Sequence, residues 1–123
     1  MEGDKIKSFT DLRAWREAHK LVLMVYKVTD KFPKTEMFGL MNQMRRASVS
    51  VSSNIAEGFG RNGNKEKCQF YYIASSSLIE LQNQLLISKD VGYISKNEFG
   101  KIASQTVTTA KIISGLKRIK NMP

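Results

Sequence analysis

The sequence predicts an all-α protein, an antiparallel up-down-up-down four-helix bundle. The 123 residues contain only two prolines, Pro33 and the terminal Pro123, and long stretches without helix breakers favour helices. Four segments repeat their apolar residues at helical spacing, and no strand alternation competes with them. Short connections make consecutive helices neighbours. The length predicts one domain over residues 1–123, with flexible ends at 1–9 and 120–123.

The first two helices are bounded by recognisable caps and breakers. The first is expected over residues 11–31, with Ser8 or Thr10 as its cap, and a phenylalanine–proline pair ends it. The second is expected over residues 36–57. It is followed by Gly58, which we interpret as a left-handed terminator because glycine adopts that backbone conformation cheaply.

The last two helices follow from the same signals. The third is expected over residues 64–90, capped by its own first asparagine, and Gly92 ends it. Ser95 and Glu98 match a capping box, in which each side chain accepts a hydrogen bond from the other residue's backbone N–H. That box predicts the start of a fourth helix that extends to about residue 119.

Two segments are apolar on every side, residues 21–26 and 70–74. A helix that is apolar all round is usually buried all round. Since a small bundle buries one side only, the second burial is expected to come from another copy of the chain. The alternative is a scatter of exposed hydrophobic side chains, which is common on monomers. The predicted interface residues are Leu21, Leu23, Met24, Phe70, Tyr71 and Ile73.

The charge is strongly unbalanced, with 20 Lys and Arg against 11 Asp and Glu and a net charge of +9. Excess positive charge favours polyanions, through Coulomb attraction and counterion release. The alternative is a solvated basic surface, and cations near a helix C-terminus also complement its dipole. The predicted nucleic-acid-binding residues are Arg45, Arg46, Arg61, Lys65, Lys67, Lys117, Arg118 and Lys120.

Signals for catalysis or a cofactor are weak. His19 is the only histidine and Cys68 the only cysteine, so histidine-rich metal sites are excluded and an internal disulfide cannot form. The glycine-rich turn at residues 58–63 follows a helix rather than a strand, which is the wrong context for a phosphate loop. We expect no enzyme activity, no metal and no cofactor. The absence of a signal peptide or an apolar membrane span predicts a cytoplasmic protein.

Helices two and three are expected to fold back on each other near residue 61. That hairpin places Arg46 about opposite Ser77 and within a turn of Glu80. The sequence therefore predicts an Arg46–Glu80 ion pair between the helices, with a structural role. Glu57 is the other carboxylate in the middle of this hairpin, and neither carboxylate has a histidine partner for acid–base chemistry.

The chain resembles the bacterial four helix bundle protein family, whose founding members are encoded in intervening sequences of 23S rRNA genes. The resemblance spans about residues 9–116. Its most specific block is Ser53-Asn54-Ile55-Ala56-Glu57-Gly58, supported by Gln43-x-Arg45-Arg46-Ala47 and Leu78-x-Glu80-Leu81. On this basis Asn54, Glu57, Gly58 and Glu80 are the structural motif. One departure is Ser52, where the family often has proline.

The resemblance implies a ring, commonly a homopentamer, that associates with RNA or another nucleic acid. It also implies a relationship to accessory proteins of diversity-generating retroelements, which bind a reverse transcriptase and its template RNA. The leading hypothesis is therefore a non-enzymatic, basic, RNA-associated homo-oligomer. The alternative is an accessory scaffold for a reverse transcriptase, in which the charge only assists.

Overall fold

The computed structural model describes residues 5–121. The described chain is all-helical, and no strand occurs in it. The four α-helices are α1 (Arg13–Thr29), α2 (Leu40–Phe59), α3 (Asn64–Asp90) and α4 (Lys96–Lys117). Short 3-10 helices cover Phe9–Asp11, Lys34–Glu36 and Arg118–Asn121. The predicted flexible ends lie partly outside the described residues, at 1–4 and at 122 and 123. No helix in the described chain is both long enough and apolar enough to cross a bilayer.

The core lies between all four helices, because each helix packs against two neighbours in the order α1, α2, α3, α4 and back to α1. Helix α2 contributes one continuous line of residues to this core. Met44, Val51 and Ile55 are completely buried, and the small residues Ala47 and Ser48 lie among them. The largest fully buried side chains elsewhere are Leu21, Leu78, Leu81, Leu85 and Ile113. This arrangement of four helices around one apolar centre is that of a four-helix bundle.

The first helix begins later than predicted. Ser8 does act as a cap, but it closes the 3-10 helix Phe9–Asp11 rather than α1. Its Oγ accepts the backbone N–H of Thr10 at 3.2 Å, and Asp11 Oδ2 accepts the N–H of Ser8 at 3.2 Å. Backbone hydrogen bonds from Lys7 and Ser8 lower the pKa of the Asp11 carboxyl. The predicted cap therefore belongs to this 3-10 helix, and α1 starts at Arg13 with Leu12 at its cap position and no side-chain cap hydrogen bond.

The prediction for Gly58 is wrong in its reason. Gly58 lies inside α2 and is buried, and the only positive φ in the described chain is that of Gly92, at 86°. A Cβ at Gly58 would lie 2.6 Å from Tyr71 Cε1 and 3.2 Å from the Lys67 carbonyl oxygen. Gly58 is therefore required by the close approach of α3, whereas Gly92 supplies the left-handed turn that was expected after α3.

Of the caps predicted for the last two helices, that of α4 is confirmed and that of α3 is wrong. Ser95 and Glu98 form the predicted capping box at the start of α4, with N···O distances of 3.0 and 2.9 Å. Asn64 was predicted to cap α3, but it is the first helical residue. Gly63 occupies the cap position and offers no side-chain hydrogen bond. Because glycine tolerates the cap conformation, α3 starts without an asparagine cap.

The end of the bundle where α2 begins is tied together by Glu36. Its Oε1 accepts the backbone N–H of Leu40 at 3.0 Å, and its Oε2 accepts the Tyr93 hydroxyl at 2.8 Å. These bonds, that from Leu40 first, lower the pKa of the Glu36 carboxyl below its ordinary value. One carboxylate thus joins the first turn of α2 to the turn between α3 and α4.

Candidate nucleic-acid interface

The fold gathers basic residues from two distant parts of the sequence at one end of the bundle. The thiol of Cys68, near the start of α3, donates to the carbonyl oxygen of Lys117 at 3.3 Å. The Lys117 Nζ lies 4.9 Å from the centre of the Tyr72 ring, and the 3-10 helix Arg118–Asn121 packs against α3. The end of α4 therefore lies beside the turn between α2 and α3. We call Arg61, Lys65, Lys67, Lys117 and Arg118 the basic end.

Two members of the basic end already have partners in the chain. Arg61 is 3.0 Å from Glu57 and 3.6 Å from Glu66, and its guanidinium lies over the Phe70 ring. Lys67 Nζ donates to the Phe59 carbonyl oxygen at 2.6 Å, at the last turn of α2. A cation there satisfies carbonyls that have no partner within the helix and complements the helix dipole. These two residues mainly hold the turn in place.

The other members are more available to a ligand. Lys65 and Arg118 are exposed and have no ion pair or hydrogen bond through their side chains within the described chain. Lys117 is half-buried against Tyr72. The side chain of Lys120, which was also predicted to bind nucleic acid, lies outside what the structure describes. Lys65, Lys117 and Arg118 are therefore the strongest candidates for phosphate contacts.

Arg45 serves a structural purpose instead. Its Nε donates to Thr29 Oγ1 at 2.9 Å, and one of its terminal amino groups donates to the Tyr26 carbonyl oxygen at 3.3 Å. The guanidinium also lies 4.5 Å from the centre of the Tyr26 ring. Arg45 thus ties α2 to the C-terminal turn of α1, where unpaired carbonyls attract cations. It lies at the opposite end of the bundle from the basic end.

Replacing Arg45 by alanine should lower the free energy of unfolding by about 1–2 kcal/mol, because the hydrogen bonds that its charged guanidinium donates to Thr29 Oγ1 and to the Tyr26 carbonyl oxygen are lost. The neighbouring Arg46 is a matched control. It is exposed and has no such bonds, so Arg46→Ala should change stability by less than about 0.5 kcal/mol. Urea unfolding of both variants measures the difference. Equal losses in the two variants would contradict the assigned role of Arg45.

The predicted Arg46–Glu80 ion pair is wrong. Both side chains line one groove of about 400 Å³ between α2 and α3, but no ion pair joins them in the described chain. The contact between α2 and α3 is about one helical turn away from the predicted one. Ser50 rather than Arg46 lies opposite Ser77, with their hydroxyls 2.7 Å apart. Glu80 instead accepts a long hydrogen bond from Gln84 Nε2, at 3.4 Å.

The remaining motif residues have packing roles. Asn54 Nδ2 donates to the Ser50 carbonyl oxygen at 2.8 Å and to its hydroxyl at 3.1 Å. It thereby supports the Ser50–Ser77 contact between α2 and α3. Glu57 pairs with Arg61, and Gly58 admits the Tyr71 ring. The block containing these residues positions the turn that carries the basic end.

The predicted interface residues divide into two groups. Leu21 and Tyr71 are 0% and 3% exposed, so they belong to the core of the single chain and cannot lie on an outer surface. Leu23 and Ile73 are 57% and 49% exposed, and Met24 and Phe70 are half-buried. Helix α3 also exposes apolar residues that were not among the predicted interface residues, which are Tyr72, Ile79, Leu86 and Ile87.

The outer surface of α3 is unusual for its lack of charge. Three of its exposed residues, Tyr72, Ile79 and Leu86, repeat every seven positions, a spacing that keeps them on one face and could have identified them. Between Lys67 and Lys89 the only charged residue is Glu80. We call the exposed residues Tyr72, Ile73, Ile79, Leu86 and Ile87 the α3 face. An apolar surface of this length with a single charged residue suits contact with another protein surface.

Groupings typical of metal sites are missing from the described residues, in which no three His, Cys, Asp or Glu side chains come together. Cys68 is a free cysteine and is buried. His19 is exposed and stacks on Trp15, with ring centres 4.7 Å apart.

The chain is similar to a known protein family and to a solved structure. The family model described as 23S rRNA-intervening sequence protein matches residues 10–115. The chain is also similar in fold to a protein of unknown function from the S23 ribosomal protein family of Bacteroides thetaiotaomicron VPI-5482. The TM-score is 0.79 and the sequence identity 14%, and the match covers 85% of this chain and 98% of that one. The comparison with curated protein sequences found no match.

Proposed function

Because the chain belongs to the 23S rRNA-intervening sequence protein family, we propose that it is a non-enzymatic, basic homo-oligomer that binds RNA. One observation carries the proposal. Cations that are about 50 residues apart in sequence meet at the basic end, and Lys65 and Arg118 have no anionic partner there within the described chain. Unpaired cations clustered at one end favour a phosphate backbone, which releases its counterions when they bind.

The acids near the basic end strengthen this proposal rather than weaken it. Glu57 and Glu66 both lie within 4 Å of Arg61, so one arginine partly neutralises two carboxylates. Lys65 and Arg118 are then exposed and form no ion pair in the described chain, and Lys117 is half-buried against Tyr72. Arginine can contact a phosphate through two N–H groups, whereas lysine acts as a point charge. The proposed contact is with the sugar–phosphate backbone and needs no particular base.

The proposed assembly unit is an antiparallel up-down-up-down bundle. The contacts Ser50–Ser77 and Met44–Ser88 support it, because the earlier residue of α2 contacts the later residue of α3. The same relation between α1 and α4 is supported by the contacts Glu17–Gln105 and Lys31–Glu98. We propose that copies associate through the α3 face into a closed ring, with five as the expected number. Association brings several basic ends together and raises the avidity of weak phosphate contacts.

The test is RNA binding by fluorescence anisotropy across a salt series, with a labelled single-stranded RNA. We expect wild-type affinity to fall steeply between 50 and 200 mM salt. The slope of log affinity against log salt concentration should be roughly proportional to the number of phosphates contacted. The double variant K65E/R118E should bind about tenfold more weakly or worse, with a log–log salt slope smaller by about 1.4. Light scattering of the same samples reports the number of copies.

The control variant K34E/K96E makes the same charge change at the other end of the bundle, and it should bind RNA nearly as well as wild type. An affinity that does not change with salt would overturn the electrostatic mechanism. Equal losses in the two double variants would show that overall charge, and not the basic end, holds the RNA.

A further inference from the structure

The outer surface of α4 carries a line of polar residues that includes neither an acid nor a large apolar side chain. Its members recur at alternating spacings of four and three positions, a pattern that keeps them on one face of a helix. We call this set the α4 line, and its members are Asn97, Lys101, Ser104, Thr108, Lys111, Gly115 and Arg118. Thr108 and Gly115 are half-buried, and the other members are exposed. The α4 line therefore faces solvent along nearly the whole length of α4.

The three cations of the α4 line are available to a ligand. Lys101, Lys111 and Arg118 form no ion pair and no side-chain hydrogen bond within the described residues. No acid lies three or four positions from Lys111 or Arg118 in the sequence. A helix face that is only solvated usually mixes charges of both signs and forms such pairs. Three unpaired cations in one line therefore indicate an anionic ligand.

One acid belongs to α4 and another contacts it from α1, and both are engaged by other residues. Glu98, three positions before Lys101, forms an ion pair with Lys31, and this contact is the main cause that lowers the pKa of its carboxyl. Glu17 accepts a hydrogen bond from Gln105 Nε2 at 3.0 Å, which lowers the pKa of the Glu17 carboxyl. Neither carboxylate forms an ion pair with a cation of the α4 line.

The α4 line continues from the basic end, because Arg118 belongs to both. Lys101 and Arg118 are 17 residues apart, which is roughly 26 Å along a helix. One nucleic-acid strand carries a phosphate about every 3.4 Å, so this length matches about eight phosphates. Lys96, the first residue of α4, lies off the line. A strand held at the basic end can thus follow α4 toward the other end of the bundle.

The composition of the α4 line favours a phosphate backbone over an acidic protein helix. An amphipathic helix buries an apolar stripe when it docks, and the α4 line offers no apolar surface to cover it. A phosphate backbone gains affinity from the cations alone, through the release of its counterions. Ser104 and Thr108 also supply hydroxyl donors, which commonly bind phosphate oxygens. Gly115 adds no side chain that would keep a strand away.

We propose that the α4 line is a track for the sugar–phosphate backbone of a single RNA strand that starts at the basic end. Lys101 and Lys111 contact phosphates directly, and Arg118 connects the track to Lys65. The inference rests on the proposed RNA binding and adds the direction and the length of the bound strand. Strands that reach Lys101 gain affinity that shorter strands lack.

The test measures binding of labelled single-stranded RNAs of 5 and 16 nucleotides by fluorescence anisotropy. K101E/K111E should bind the long RNA about tenfold more weakly, with a log–log salt slope smaller by about 1.4, because two phosphate contacts are lost. It should lose at most about threefold for the short RNA, which does not reach Lys101 from the basic end. The control variant K27E/K34E changes charge equally, at exposed lysines outside the α4 line that form no ion pair in the described chain. It should bind both RNAs like wild type.

A single substitution separates the track from the basic end. Lys65→Glu changes the basic end alone and should weaken both RNAs by similar factors. If it weakens neither RNA while K101E/K111E weakens the long one, the basic end fails and the track stands. If the wild-type protein binds neither RNA, both proposals are overturned.

Three further results would overturn the track alone. The first is an equal loss on both RNAs in K101E/K111E, and the second is an equal effect of K101E/K111E and K27E/K34E on the long RNA. The third is a 16-residue polyglutamate that competes as well as unlabelled long RNA, because the α4 line would then suit an acidic protein segment. Thermal unfolding of each variant verifies that it is folded.

Discussion

Replacing Gly58 by alanine should lower the free energy of unfolding by about 1–3 kcal/mol, the usual range for overpacking a core. The added methyl would lie 2.6 Å from Tyr71 Cε1 and 3.0 Å from Cδ1. Those atoms belong to the body of a ring that is 3% exposed, so the ring cannot simply swing into solvent. The Lys67 carbonyl oxygen, at 3.2 Å from the same position, limits any shift of α3.

The matched control for this prediction is Gly100→Ala. Gly100 is exposed within α4 and has no atom within 4 Å of an added Cβ, so alanine there should stabilise the helix by about 1 kcal/mol. Urea unfolding should therefore give opposite signs for the two substitutions. Adding Tyr71→Leu to Gly58→Ala tests the cause, because a smaller side chain should reduce the extra cost of the alanine. A stable Gly58→Ala protein would contradict the close approach.

Gly58 also illustrates how far the sequence predicts this fold. A glycine near the end of an amphipathic segment is typical of a helix terminator, and Gly92 confirms that rule with its positive φ. The sequence alone does not distinguish a glycine that ends a helix from a glycine that makes room for a ring of another helix. That distinction depends on the register of α2 against α3, and the predicted register differs from the observed one by about one turn. The capping box of Ser95 and Glu98 was predictable because every partner in it is local.

The sequence predicts that basic residues form the candidate interface, but it does not predict which of them are used for contacts within the chain. Arg45 and Arg46 are adjacent and identical, yet only Arg45 meets the C-terminal turn of α1. Lys67 was predicted to bind phosphate, and the structure uses it to satisfy carbonyls at the end of α2. Both roles are set by tertiary neighbours, which no local pattern names.

Leu21 shows why an uninterrupted apolar run misleads. Residues 21–26 carry no periodicity of their own, so the run alone does not say which residue faces inward. The pattern beyond the run does, because Ala14, Ala18, Leu21 and Val25 follow one another at spacings of three or four. When the pattern is followed from two turns before the run, it predicts that Leu21 lies in the core and Leu23 on the surface.

Leu21→Ala should accordingly lower the free energy of unfolding by about 2–5 kcal/mol, since it removes a completely buried side chain and leaves a cavity. Leu23→Ala makes the same chemical change two residues away, at a position that is 57% exposed. It should alter stability by no more than about 0.5 kcal/mol. The pair is measured by urea unfolding at several protein concentrations, because association makes apparent stability depend on concentration. Leu21→Ala should lower stability at every concentration, and a similar small loss in both variants would place Leu21 on the surface after all.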